Sequence, residues 1–134
     1  MSKLQSQSTS STAAMVQKAA IAALTGSQEC VCEMRADYIR LRDTIVAGLR
    51  SIPGFTCTMP EGAFYAYPNV SGLLKKSGIA TPAELTTRLL HEAGIVVVPG
   101  EPFGTHEHIR FSYAVSHKDV EEGLERLRTF VAKL

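Results

Sequence analysis

Neither sign of charge prevails in this chain of 134 residues: 14 Lys and Arg face 13 Asp and Glu, a formal net charge of +1. Such a balance gives no broad field for nucleic acid or an anionic membrane surface, so neither partner is expected. No apolar run approaches the roughly 18 residues of a membrane-spanning helix, and the N-terminus lacks the charged-then-apolar order of a secretory signal. A cytoplasmic location is the resulting expectation. Three cysteines cannot all pair within one chain, and a reducing compartment would leave them as free thiols. No internal repeat and no glycine-rich phosphate loop ending in Lys-Ser/Thr is present.

What is present is enough apolar material, 45% of the residues, to bury the core of one domain. Residues 1–12 hold seven Ser or Thr and read as a flexible lead-in. From Ala13 to Leu24 an alanine-rich stretch predicts a helix, stopped at Thr25-Gly26 by a left-handed glycine cap. Ser27 caps a second, long helix, along which Val31, Met34, Tyr38, Leu41, Ile45, Leu49 and Ile52 form one apolar stripe up to Pro53-Gly54. Two short β-type runs, 55–59 and 63–67, flank the turn Pro60-Glu61-Gly62 and suggest a hairpin-like excursion.

A helical turn at 73–76 is followed by Thr81-Pro82-Ala83-Glu84, an N-cap, a first-turn proline and an acidic third residue. That helix should run to about Glu92 and stop at Gly94. The β-branched run 95–98 predicts a buried strand, and 108–114 another. Ser116 and Asp119 open a last helix with Val120, Leu124, Leu127 and Val131 facing the core. These elements are too few and too mixed for a doubly wound sheet. They define an α+β fold: a small, mostly antiparallel sheet covered by helices and preceded by one long amphipathic helix.

One residue breaks the apolar pattern. In the strand around Ile109-Arg110-Phe111-Ser112-Tyr113, alternation puts Ile109, Phe111 and Tyr113 on one face and Arg110 with Ser112 on the other. A half-buried guanidinium is a permanent planar fork of donors that suits a bidentate carboxylate. Either an internal acidic residue or a substrate could supply that carboxylate. Phe103, on the rigid loop Pro99-Gly100-Glu101-Pro102-Phe103-Gly104, either walls a cleft or simply anchors the loop. The remaining constellations have plainer readings. Cys30 and Cys32 project apart on a helix, and His106 with His108 lacks a third metal ligand. His91 and His117 lie near helix ends, where terminal carbonyls can occupy them.

Pro60-Glu61-Gly62-Ala63-Phe64-Tyr65-Ala66-Tyr67-Pro68, then Val98-Pro99-Gly100 with Phe103-Gly104, then Ile109-Arg110-Phe111-Ser112-Tyr113-Ala114 form three motifs in fixed order. Together they resemble the C-terminal part of the class I, fold-type I pyridoxal-phosphate-dependent aminotransferases, and among these the bacterial aspartate aminotransferase group. Gln5-Ser6-Gln7-Ser8-Thr9-Ser10 and Met34-Arg35-Ala36-Asp37-Tyr38 extend the similarity over essentially the whole chain, although Ser11-Thr12 replaces the group's Asn-Pro. The resemblance implies that residues 1–27 belong to a large domain near a subunit interface and that 28–134 form the C-terminal small domain.

It implies further that Arg110 binds the α-carboxylate of an amino acid or 2-oxo acid substrate and that Phe103 walls that site. Pyridoxal phosphate would be held mainly by the chain's own large domain, in a complete protein that is a homodimer. The lysine that carries the cofactor in this family sits in a sequence context that Ser2-Lys3-Leu4 lacks, so Lys3 is a decoy and the isolated chain should be inactive. Alternatives are an aromatic or alanine transaminase of the same fold, and a non-catalytic binding or dimerising module derived from it.

Overall fold

The structure is a computed structural model that describes residues 2–9 and 11–134, with backbone alone at 75–77. It divides into two compact units, 1–34 and 35–134. Helices α1 (Ser2–Ser8) and α2 (Ala14–Thr25) lie in the first unit, and neither buries a residue. The lead-in is therefore helical over Ser2–Ser8 rather than flexible coil, while Met1 and Ser10 fall outside the described residues. Gly26 does end α2, but with extended backbone (φ −78°, ψ −178°) instead of a left-handed cap. Glycine fits there because its N–H donates to the Ala22 carbonyl, and a Cβ would lie 2.7 Å from that oxygen.

The long helix α3 (Glu29–Arg50) opens as expected, with Ser27 Oγ accepting the Glu29 N–H. Its predicted stripe is buried only in part. Leu41, Ile45, Leu49 and Ile52 are buried and Tyr38 packs beside them, but Val31 and Met34 are about half exposed. Periodicity marks a face, and burial then depends on what covers it.

In the second unit three short strands form an antiparallel sheet in the order β1, β3, β2: β1 (Tyr65–Ala66), β2 (Val98–Pro99) and β3 (Ile109–Ser112). The register sets Tyr65 opposite Ser112 and Ala66 opposite Phe111 on one edge of β3, with Val98 opposite Arg110 and Pro99 opposite Ile109 on the other. The hairpin expected between 55–59 and 63–67 does not form. Thr56 bridges Asn69, and β1 turns to β3 for its partner. The predicted strand 95–98 is likewise shorter than expected: only Val98 and Pro99 pair, and Val96 is exposed.

Helix α4 (Ser71–Ser77) covers the predicted turn, and α5 (Pro82–Arg88) begins as its cap dictates, with Thr81 Oγ1 accepting the Glu84 N–H. From Leu89 to Ala93 the helix widens into a π turn before Gly94 (φ +64°) ends it. Helix α6 (His117–Val131) starts at Ser116, whose Oγ accepts the Asp119 N–H. Val120, Leu124 and Leu127 are buried as predicted. The fourth buried position is Phe130, with Val131 only partly covered.

One apolar core joins α3, the inner face of the sheet and α6, with Val46, Leu49, Ala66, Ile109 and Tyr113 almost wholly excluded from water. This is the expected α+β arrangement. No described helix is long and apolar enough to cross a membrane.

Two measurements check this packing. Leu49→Ala should destabilise the chain in urea by about 2–5 kcal/mol through its cavity, whereas Met34→Ala should cost under about 0.5 kcal/mol. The second concerns Asp37 on α3, whose carboxylate meets His117 Nε2 at 2.9 Å and Arg40 Nη2 at 2.8 Å. The hydrogen bond from His117, then that from Arg40, holds its pKa below the ordinary 3.8. A depressed carboxylate stabilises the fold above that value and loses its contribution as pH falls through the folded pKa. Asp37→Asn should thus unfold more readily than the parent at pH 7, and their urea midpoints should converge below pH 3.8.

Candidate functional site

The outer face of the sheet gathers side chains that alternation in each strand sends the same way. Arg110 and Ser112 come from β3, Tyr65 from β1 and Val98 from β2. Tyr67 and His108, each two residues along from a member of this row, stack ring on ring at 4.9 Å. The Arg110 guanidinium carbon lies 4.4 Å from the centre of the Tyr65 ring and 4.6 Å from that of Phe103. Each contact is a cation–π attraction worth about 0.5–1 kcal/mol, more where water is excluded.

Arg110 is half-buried and, among the described residues, has neither an ion-pair nor a hydrogen-bond partner. Among the described residues the internal salt bridge left open by the sequence does not form. Other arginines are occupied: Arg40, Arg42, Arg88, Arg126 and Arg128 pair with carboxylates, and Arg50 donates to the Cys57 carbonyl. Among the described residues Arg35 has no partner either, but it is exposed to water. Arg110 thus combines partial burial against two rings with N–H donors that no described protein acceptor uses. Such a fork can take a planar carboxylate in a bidentate pair.

The two rings are held by different devices. Phe103 ends a 3-10 turn (Glu101–Phe103) in which the Gly100 carbonyl accepts the Phe103 N–H at 2.8 Å and the Thr105 N–H at 3.2 Å. Tyr67 and Thr105 share a short hydroxyl hydrogen bond, and Phe103 sits edge-on to the Tyr67 ring at 6.0 Å. Glu101 Oε1 accepts the Ala83 N–H and ties this loop to the start of α5. Gly100 is confined: a Cβ there would lie 2.6 Å from the His108 carbonyl oxygen and 2.8 Å from that of Thr105.

Tyr65 is set from the other side. Ala63 adopts φ +57°, a left-handed conformation costing a non-glycine residue about 1–2 kcal/mol. The buried Tyr113 hydroxyl donates to the Ala63 carbonyl at 3.0 Å, and the Tyr113 N–H donates to Phe64 O at 2.9 Å. Burial raises the pKa of the Tyr113 phenol, which keeps the donor protonated. Phe64 then contacts the Tyr65 ring at 4.6 Å and the Tyr38 ring at 6.2 Å.

Of the residues singled out in the sequence, Arg110 and Phe103 are brought together. Lys3 lies exposed in α1, and Glu61 is exposed in its turn. Cys30 and Cys32 are exposed, and no cluster of metal-ligating side chains occurs among the described residues. His106 is exposed while His108 stacks on Tyr67, so the two do not act as a pair. His117 was expected to meet helix-terminal carbonyls. It stands instead at the N-terminus of α6, where carbonyls are already bonded, and it reaches Asp37. Tyr65, Tyr67 and Thr105 were not foreseen, although the spacing Tyr65-Ala66-Tyr67 on a strand signals two rings on one face.

The α+β architecture of this domain, with its small antiparallel sheet, agrees with the comparisons. Residues 1–127 match the family Aminotransferase class I and II, and the chain belongs to that family. It is 42% identical to an aspartate aminotransferase of Bacillus subtilis over 99% of this chain and 34% of that protein. Its fold matches the crystal structure of the aspartate aminotransferase from Rhizobium meliloti with a TM-score of 0.92 and 38% identity, over 98% of this chain and 34% of that one. The aspartate aminotransferase from Thermus thermophilus with maleate is similar at 35% identity and a TM-score of 0.82, over 95% of this chain and 32% of that one. The chain spans about a third of the length of these relatives.

Replacing Gly100 tests how firmly the loop is built. Gly100→Ala should destabilise the fold by about 1–3 kcal/mol in urea, because the backbone oxygens of His108 and Thr105 must move as well as the Thr105 hydroxyl. The contact between Phe103 and Arg110 should weaken with it, seen as reduced nuclear Overhauser effects between the two side chains.

Proposed function

We propose that this chain supplies the substrate-carboxylate grip of a pyridoxal-phosphate-dependent aminotransferase, which exchanges an amino group between aspartate or a similar amino acid and a 2-oxo acid. The observation that carries this reading is Arg110 itself, a half-buried guanidinium between two rings without an acidic partner among the described residues. Arg110 would hold the α-carboxylate common to both substrates, with Phe103 as one wall. Fixing the carboxylate restricts rotation of the bound amino acid and helps present its Cα–H bond for deprotonation. The Thermus relative named with maleate, a dicarboxylate, fits a site of this chemistry.

When bound, pyridoxal phosphate supplies the electron sink for the amino-acid carbanion. Each lysine whose side chain is described, Lys3, Lys18, Lys118 and Lys133, is exposed. In this reading the cofactor and its lysine belong to the part of the relatives that this chain does not span. In this reading residues 28–134 are the small domain and 1–27 belong to a large domain. The complete protein is a homodimer, and the chain by itself is inactive.

The test is a subunit in which this chain replaces the matching third of the Bacillus subtilis relative. Arg110→Ala should lower kcat/KM for aspartate by at least roughly tenfold, as expected for a lost charged hydrogen-bond pair. Arg110→Lys should recover only part, because an ammonium lacks the fork. Unchanged efficiency in the alanine variant would remove Arg110 from the reaction.

A further inference from the structure

We propose that Tyr65 is a positioning residue that fixes the plane of the Arg110 guanidinium, so that its fork meets a substrate carboxylate edge-on. The proposal rests on the carboxylate-gripping reading of Arg110. Tyr65 and Phe103 both lie within stacking distance of the guanidinium carbon, at 4.4 and 4.6 Å. Aromatic contacts on its π faces leave a guanidinium the donors in its plane, which is the direction a bidentate carboxylate uses.

Arginine has a long, rotamer-rich side chain, and ordering it is part of the cost of binding. A stack that orders it beforehand removes that cost from each binding event. Tyr65 is suited to this because its own ring is backed. Phe64 lies 4.6 Å from it, Tyr38 lies 6.2 Å from Phe64, and Tyr113 lies 6.5 Å from Tyr38. The strand pairing of Tyr65 with Ser112 and the Ala63 turn held by Tyr113 fix the backbone beneath it. Phe103, on a loop and 47% exposed, is the less constrained wall. Among the described residues the Tyr65 hydroxyl has no hydrogen-bond partner, so the ring alone does this work.

Two measurements test the assignment. In the 134-residue chain, nitrogen-15 relaxation of the Arg110 Nε–Hε group should report an ordered guanidinium in the parent and in Tyr65→Phe, and a mobile one in Tyr65→Leu. Equal mobility in all three would overturn the proposal whatever the enzyme does. In the hybrid subunit described above, Tyr65→Leu should raise KM for both amino acid and 2-oxo acid by about fivefold. Its kcat should stay within about twofold, because ordering lost before binding weakens ground and transition states alike.

Tyr65→Phe should keep the parent KM, because the ring and not the hydroxyl orders Arg110, and the Arg110 Nε–Hε relaxation separates this from a general packing defect in the leucine variant. An unchanged KM in Tyr65→Leu, with Arg110→Ala still crippled, would overturn the positioning role and leave the carboxylate grip standing. An inert Arg110→Ala would take both down.

Discussion

The pairing register of β3 is the constraint on which the rest depends. This strand is the middle of the sheet, and its four residues alternate between a sealed core and an open face. Ile109 and Phe111 are buried, while Arg110 stands on the other side opposite Val98. A slip of one residue would send the guanidinium into the core and Phe111 into the site. Few backbone pairs hold so short a sheet, so the register is enforced mainly by the core that Ile109 and Phe111 enter with α3 and α6.

The local chemistry around β3 serves that register. Gly100 allows the loop after β2 to fold against the carbonyls of Thr105 and His108, which brings Phe103 over the sheet. Across the strand, Tyr113 spends its buried hydroxyl on the strained turn at Ala63 and so fixes the entry into β1. The same strand segment that presents Arg110 therefore leads directly into the residue that secures one of the rings stacked on it. Core packing and site geometry are coupled through adjacent positions in one strand.

Much of this was legible in the sequence because its causes are local. The caps at Thr81 and Ser116, the stops at Gly26 and Gly94 and the outward side of Arg110 all follow from a few neighbouring residues. What escaped was the choice of distant partner. Turn signals at Pro60-Glu61-Gly62 predicted a hairpin, yet the better partner for Tyr65 and Ala66 lay in β3, far along the chain. The same non-locality hid the convergence of Tyr65, Phe103 and Arg110 from three segments. The stripe on α3 was overextended because periodicity alone cannot tell that coverage ends before Met34.

The ring contacts have an optical consequence. The sequence contains four tyrosines and no tryptophan. All four, Tyr38, Tyr65, Tyr67 and Tyr113, belong to the aromatic contacts that run beneath and beside Arg110. The tyrosine emission of this chain therefore comes from one connected set of ring contacts that reaches Arg110 through Tyr65 and Phe103, and the domain carries its own label there.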